Sequence, residues 1–398
     1  MTRIVSVNCP KKNHHPKQLP ALTGIRFFAI FHIFLHHLWA VYTFHSGKNE
    51  ETKGLFISLE NAPEFVMTIM SNGWVSTNLF FMLSGFILAY LYWGENGKFK
   101  ISKKQFWIQR FARIYPIHLF VLFLLVTLNI GAYVSQGSPV GLLMVSIVAT
   151  AALIQAWIPP LIPVWSWPTW TISVMVFLYL IMPWLVAKLS KLSVRQQKIL
   201  LSVIPIVSLI PAAFYGGLVL SGVQWSMTLQ LFFSNFPVFW LPYFVAGMLL
   251  ARVFPMHNQA VGRQSSSLFA WGDVATVILI AIACVPAIEL HFMYVLRYGL
   301  LMPLYMLIIV DLARGRGLLA KLMTLPGTKS LGDLGFSIFI WQAFVLALAF
   351  LSLSIYPQIG PYQVSLAIVM VLTLATLSTH FLEKPLAKRI RARFAEKE

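Results

Sequence analysis

Eleven apolar stretches, separated by short and mostly basic connections, leave this chain few ways to fold. They run at about 22–42, 74–92, 114–132, 140–157, 170–187, 199–220, 232–251, 271–290, 294–312, 334–351 and 364–382. About 20 apolar residues suffice for a helix to cross a bilayer, where the backbone must satisfy its own hydrogen bonds. With 58% hydrophobic and 11% charged residues in 398 and a mean hydropathy of +0.76, the expected fold is an all-α, polytopic transmembrane helical bundle. The net charge of +18 does not call for a nucleic-acid partner, because Lys and Arg gather between apolar stretches in the positive-inside pattern. The lipid bilayer is the partner that this pattern fits.

If all eleven stretches crossed, the basic connection at 188–198 would face away from the one at 98–113. One stretch is therefore expected not to cross. The stretch 140–157 is the candidate, because the run IPPLIPVWSWPTW after it suits a re-entrant or interfacial element. Ten crossings with both termini cytoplasmic follow. The chain divides into a basic tail (1–20), one membrane domain (21–383) and a second basic tail (384–398). The first apolar stretch is too long for a signal peptide and has no small-residue cleavage site after it, so it is read as a retained span. Cys9 and Cys284 lie in a tail and a span, which suggests neither a disulfide framework nor a cysteine metal site.

The first stretch, LTGIRFFAIFHIFLHHLWAVY, carries Arg26, His32, His36 and His37, costly groups in hydrocarbon. Arg26 and His37 are eleven positions apart, about three helical turns plus ~20°, so they share a face roughly 16 Å apart. One reading has Arg26 snorkelling to headgroups and His37 as a satisfied interior histidine. The other gives Arg26 the anionic part of a ligand and His37 the proton of a hydroxyl nucleophile. By position alone His36 could replace His37. In the next span Ser84 and Gly85 suit close helix packing, while Asn78 could meet a polar substrate. Arg110 and Arg113 share a face one turn apart, as boundary anchors or as a pair suited to a diphosphate. Asp273 and Asp311 read as structural span ends. The acidic loop with His45, Glu50, Glu51, Glu60 and Glu64 reads as a solvated face, and Trp157, Trp165, Trp167 and Trp170 as an interfacial belt with acceptor docking as the alternative.

Several of these motifs, in their order, are similar to a known family. The Arg, ten residues and His of the first span, then NLFFMLSGF, RFARIYP, WTISVMVFLYLIMP, KSLGDLGFSIFIWQ and FLEKPLAKRI, together resemble the integral-membrane acyltransferase-3 family. That resemblance implies transfer of an acyl group, most often acetyl, to a hydroxyl of a glycan or glycolipid outside the bacterial cytoplasmic (inner) membrane. It implies His37 and Arg26 as the catalytic pair and Arg26, Arg110 and Arg113 as the hold on the acyl donor. Acetyl-CoA or another acyl-CoA is then a donor substrate, with no permanently bound cofactor and no metal required. Asn78, Ser84, Trp170 and Gln342 are the expected substrate contacts, and a separate extracytoplasmic transferase is a possible partner.

Three positions depart from the family's pattern. Met175 stands where the pattern has Glu, Asn78 where many members have Asp, and Gln342 where His follows the Trp. Asn and Gln keep hydrogen-bonding capacity, whereas Met does not. Glu383, beside Lys384, is a carboxylate within a landmark motif. The Met175 change keeps open an impaired or non-catalytic member, a transporter or a partner subunit.

Overall fold

The computed structural model describes residues 19–45, 59, 61–224, 226–253, 269–286, 290–355 and 362–395. Among them the chain is helical, with one isolated bridge between Trp93 and Phe99. The principal helices are α1 (Pro20–His45), α2 (Glu64–Ser71), α3 (Trp74–Tyr92), α4 (Lys103–Ser135), α5 (Val140–Ala151), α6 (Trp170–Leu189), α7 (Val194–Val207), α8 (Ile210–Leu220), α9 (Met227–Asn235), α10 (Leu241–Val253), α11 (Trp271–Ala283), α12 (Leu290–Val295), α13 (Met302–Arg314), α14 (Thr328–Ile355), α15 (Gln363–Ser378) and α16 (Lys384–Ala395). The 384–398 tail thus begins as a helix. Cys9, Glu50, Glu51, Glu60 and the tail before residue 19 lie outside the described residues.

Basic connections meet at one end of the bundle. Ser190 donates to the carbonyl of Gly97 (2.6 Å) and Arg252 to that of Glu95 (2.8 Å), which fastens the ends of α3, α6 and α10 together. We call this the basic end. Helix starts there follow local sequence: Ser102 accepts from the Gln105 amide to open α4, and Ser193 with Gln196 forms a capping box at α7. At the far side of α13, Gly315 takes φ 67, a left-handed cap that stops the helix.

Eight of the described helical segments are long and apolar enough to cross a membrane, and a ninth is the pair on either side of Leu301, bent by 47°. The expected ten is reached only if α11 also crosses. That helix has 13 residues, roughly 20 Å, which is short for the purpose. Its ends are nevertheless fixed at opposite ends of the bundle. Gly272 donates to Asp311 (2.8 Å) near the end of α13, and Asn72, just before α3, donates to the carbonyls of Ala283 and Val285 (3.1 and 3.2 Å).

The stretch 140–157 is not one straight span. Helix α5 runs back along α4 until the Thr150 carbonyl accepts from His118 Nε2 (2.8 Å) and that of Ala152 from Tyr115 (3.3 Å). Short helical turns then return the chain until Tyr133, about half the length of α4 further along, donates to Val164 (2.6 Å). The excursion enters and leaves on the same side because four prolines, at 159, 160, 163 and 168, prevent a continuous helix. Side chains of α4 and α6 satisfy carbonyls along it, Ser173 donating to that of Leu153 (2.6 Å) as His118, Tyr115 and Tyr133 do to those of Thr150, Ala152 and Val164.

Close approach of α3 and α10 organises the centre. A side-chain carbon on Gly85 would run into the Phe244 carbonyl, and one on Gly247 into that of Met82. Small residues let membrane helices pack in this way, so the packing role read for Gly85 holds.

Candidate active site

Helices α1, α3, α4, α6 and α14 enclose a cavity of about 270 Å³. At the basic end its wall carries Arg26, Arg110, Arg113, Ser84 and Tyr179, and further in it carries Ile30, Phe80, Ile114, Thr171, Ile172, Met175 and Phe339. A second cavity of about 360 Å³ shares Arg26, Ile87 and Leu91 with the first and adds Thr23, Tyr90, Lys329 and Asp333. The two form a route into the bundle from the basic end, with Arg26 at the junction.

Each guanidinium is held by groups that leave its charge uncancelled. Gly335 of α14 gives Arg26 room, its would-be side chain lying 3.7 Å from the Arg26 stem. Arg110 donates to the Tyr92 hydroxyl (2.9 Å), which donates in turn to Gln109 (2.9 Å), and its Nε has no partner. Arg113 lies over the Phe336 ring, 5.5 Å from its centre. None of the three forms an ion pair among the described residues, although Asp333 and Glu383 lie near enough to exert some attraction. Three like charges around an apolar-walled space are chemically suited to an anion with several charged oxygens.

His37 lies on the same helix, beyond the cavity. Gln342 Nε2 donates to the Phe339 carbonyl (3.0 Å), so the Gln342 oxygen must face His37 and accept from Nδ1–H (3.1 Å). That bond assigns the tautomer: Nδ1 carries the proton and Nε2 keeps its lone pair, the arrangement a general base needs. His36 is committed elsewhere, donating from Nδ1 to Met70 (3.0 Å) and stacking on Trp39. His32 donates to Ile69 (2.7 Å) and accepts from Ser76 (2.8 Å). Of the three histidines, His32 has both ring nitrogens engaged, whereas His36 and His37 each bond through Nδ1, His36 to a backbone carbonyl and His37 to the Gln342 side chain.

The other expected contacts are dispersed. Ser84 lines the cavity while donating to the Phe80 carbonyl (2.8 Å). Asn78 is buried away from it, donating to Tyr243 (3.2 Å) and to the Arg297 carbonyl (3.0 Å). Gln342 meets His37 instead of the cavity. Trp170 packs on Phe81 and Trp240, and Trp165 donates to Ser146 (2.7 Å). Both are 5% exposed, so the interfacial belt read for the four tryptophans is corrected for these two: their indoles fill the core left by the irregular turns. Trp157, 37% exposed, remains at the surface. Asp273 and Asp311 have the structural roles read for them, accepting backbone amides of Leu318, Leu319 and Gly272. Glu383 is buried, accepting from Ser337 and Ser378 at the π-helical turn Thr379–Glu383.

Two groups escaped the sequence reading. Tyr179, one turn after Met175, lines the cavity among the guanidiniums. Arg297 sits in the non-helical break Leu296–Leu300, where it donates to Ser234 (2.9 Å) and lies 5.1 Å from the centre of the Trp240 ring. A lone arginine two residues before a glycine in an apolar stretch was the available signal for it.

Comparison with known proteins agrees with this architecture. A family model described as an acyltransferase domain matches residues 19–380. The chain is 30% identical over 181 residues to "Acyltransferase MdmB" of Streptomyces mycarofaciens, covering 45% of this chain and 42% of that protein. It is 35% identical over 80 residues to "Protein 2 in picA locus" of Rhizobium radiobacter, covering 20% of this chain and 42% of that protein. The chain thus spans less than half the length of these relatives, and no solved structure matches it. With the family model extending across nearly all the described helices, eight or nine of which are long and apolar enough to cross a membrane, the chain belongs to the acyltransferase-3 family.

Proposed function

We propose that this protein is an O-acyltransferase that moves an acetyl or other short acyl group from cytoplasmic acyl-CoA to a hydroxyl of a glycan or glycolipid at the outer face of a bacterial cytoplasmic membrane. The observation that carries this reading is that Arg26, joined at the basic end by Arg110 and Arg113 of α4, shares α1 with His37, whose Nδ1 is held by Gln342. By the positive-inside rule the basic end faces the cytoplasm, the side on which acyl-CoA is made, and both termini are then cytoplasmic. Arg26, Arg110 and Arg113 fit the donor's phosphates, and the unpartnered Nε of Arg110 supplies a donor for one of them.

In this reading His37 Nε2 accepts the proton of the acceptor hydroxyl as its oxygen bonds to the thioester carbonyl carbon. The carbon–sulfur bond then breaks, and the CoA thiolate leaves and takes up the proton. The hydrogen bond from Nδ1 to Gln342 holds the imidazole and supports its charge while it carries both protons. Met175 removes a carboxylate from the cavity wall without touching His37, which supports an active enzyme over an impaired one. A separate extracytoplasmic transferase is not needed for this step.

The test is release of free CoA from acetyl-CoA by the purified protein in detergent, with a panel of glycan, glycolipid and other hydroxylated acceptors. A general base contributes on the order of 10²–10⁴-fold, so His37→Ala should lose about that much. Activity that survives His37→Ala removes the mechanism, and retained transport of an acceptor in that variant favours a transporter.

A further inference from the structure

The donor cavity ends short of His37. Its last lining residue on α1 is Ile30, and His37 is seven residues beyond, about 10 Å along the helix. The walls stop at one level: Phe80 is the outermost lining residue of α3 and Phe339 that of α14. These two rings stack face to face, centres 5.9 Å apart and planes 8° from parallel. Phe339 is also the residue whose carbonyl receives Gln342, so the stack lies one helical turn below the His37–Gln342 pair. Behind it on α1, Ile33 and Phe34 are 3% and 0% exposed.

The chamber directly under the stack is mainly apolar, formed by Ile30, Ile114, Ile172 and Met175 with the two rings, Thr171 adding one hydroxyl-bearing side chain. The guanidiniums occupy its other end. A ligand with charged oxygens at one end and a short hydrocarbon at the other matches this polarity, and only its hydrocarbon end can point at His37.

We propose that this chamber is the acyl subsite, and that Phe80 and Phe339 form both its floor for chain length and the barrier the acyl group passes to reach His37. The inference rests on the acyl-CoA reading above. Met175 contributes to it: a carboxylate at that position would set a charge against the acyl chain, whereas a thioether is a flexible apolar wall.

The experiment measures kcat/KM with acetyl-, propionyl-, butyryl- and hexanoyl-CoA for the wild type, Phe80→Ala, Phe339→Ala and, as a lipid-facing control, Phe123→Ala, which is 65% exposed. Deleting either ring should raise the ratio of hexanoyl to acetyl efficiency at least tenfold, with no change in Phe123→Ala. Phe80→Leu and Phe339→Leu, which preserve more of the packing, should shift the ratio in the same direction by two- to threefold, so a failure of the alanine variants to fold leaves the test intact. Equal losses for all four donors overturn the subsite and assign the stack a purely structural role. If the wild type neither binds nor turns over any acyl-CoA, the donor reading fails and the subsite with it; turnover with an unchanged chain-length profile refutes the subsite alone.

Discussion

Replacing Gln342 by Leu isolates the contribution of one hydrogen bond to His37. The Gln342 oxygen accepts from Nδ1 at 3.1 Å in a site where His37 is 8% exposed and Gln342 fully buried. A Leu of similar bulk keeps the packing but leaves Nδ1–H without its Gln342 acceptor. An unsatisfied buried donor costs about 1–3 kcal/mol. The cost is greater once the imidazole is cationic, because a charge-assisted bond is roughly twice as strong as a neutral one. The loss therefore falls on the transition state, and at 1.4 kcal/mol per factor of ten it corresponds to a kcat reduction of about 5- to 150-fold. Gln342 does not line the donor cavity, so KM for acyl-CoA should stay within twofold. Gln342→Glu, which retains an acceptor at the same reach, should keep most of the rate. The assay is CoA release under saturating donor, with a donor titration for each variant. A Gln342→Leu enzyme with wild-type kcat, or one impaired only through donor KM, refutes the assignment of Nδ1 as the supported proton.

Other consequences follow from the same geometry. Arg110→Gln with Arg113→Gln should weaken acetyl-CoA binding by at least tenfold, since each charge-assisted bond contributes about 1.5–3 kcal/mol, and calorimetric titration of donor without acceptor measures it. Met175→Glu, which sets a carboxylate in a cavity holding three unpaired guanidiniums, should raise donor KM several-fold by competing with the phosphates; a large gain in rate would instead mean that the chain had lost part of its site. Gly247→Leu drives a side chain into the Met82 carbonyl and should abolish the monodisperse folded peak in detergent gel filtration, while Gly216→Leu, at a glycine with nothing within 4 Å, should leave it unchanged.

The helical class of the fold could be read from hydropathy because every crossing segment announces itself by length and apolarity. The re-entrant excursion was legible too, from the conflict between loop charge and parity and from the prolines that forbid a straight helix. Helix α11 was harder, because its 13 helical residues are followed by apolar ones that hydropathy counts as span. In the site, the shared face of Arg26 and His37 followed from helical period alone, and Arg110 and Arg113 from their spacing. What period could not supply was which side chains of other helices meet that face. Asn78 and Trp170 point to α10 and the core instead, and Tyr179 joins the arginines because α6 crosses α4 at Trp107, whose indole donates to the Tyr179 carbonyl. Such meetings depend on helix crossings, which no local pattern encodes.

The ties at the two ends of α11 bear on how the chain is assembled in its membrane. Asp273 accepts amides from Leu318 and Leu319, and Gly272 donates to Asp311, so the first turn of this short helix is completed by residues about 40 positions later in synthesis. Until α13 and the turn after it have emerged, Asp273 has only the amide of Ala270 from within its own helix start. The polar groups at the start of α11 are therefore fully satisfied only once α13 and the turn after it are in place.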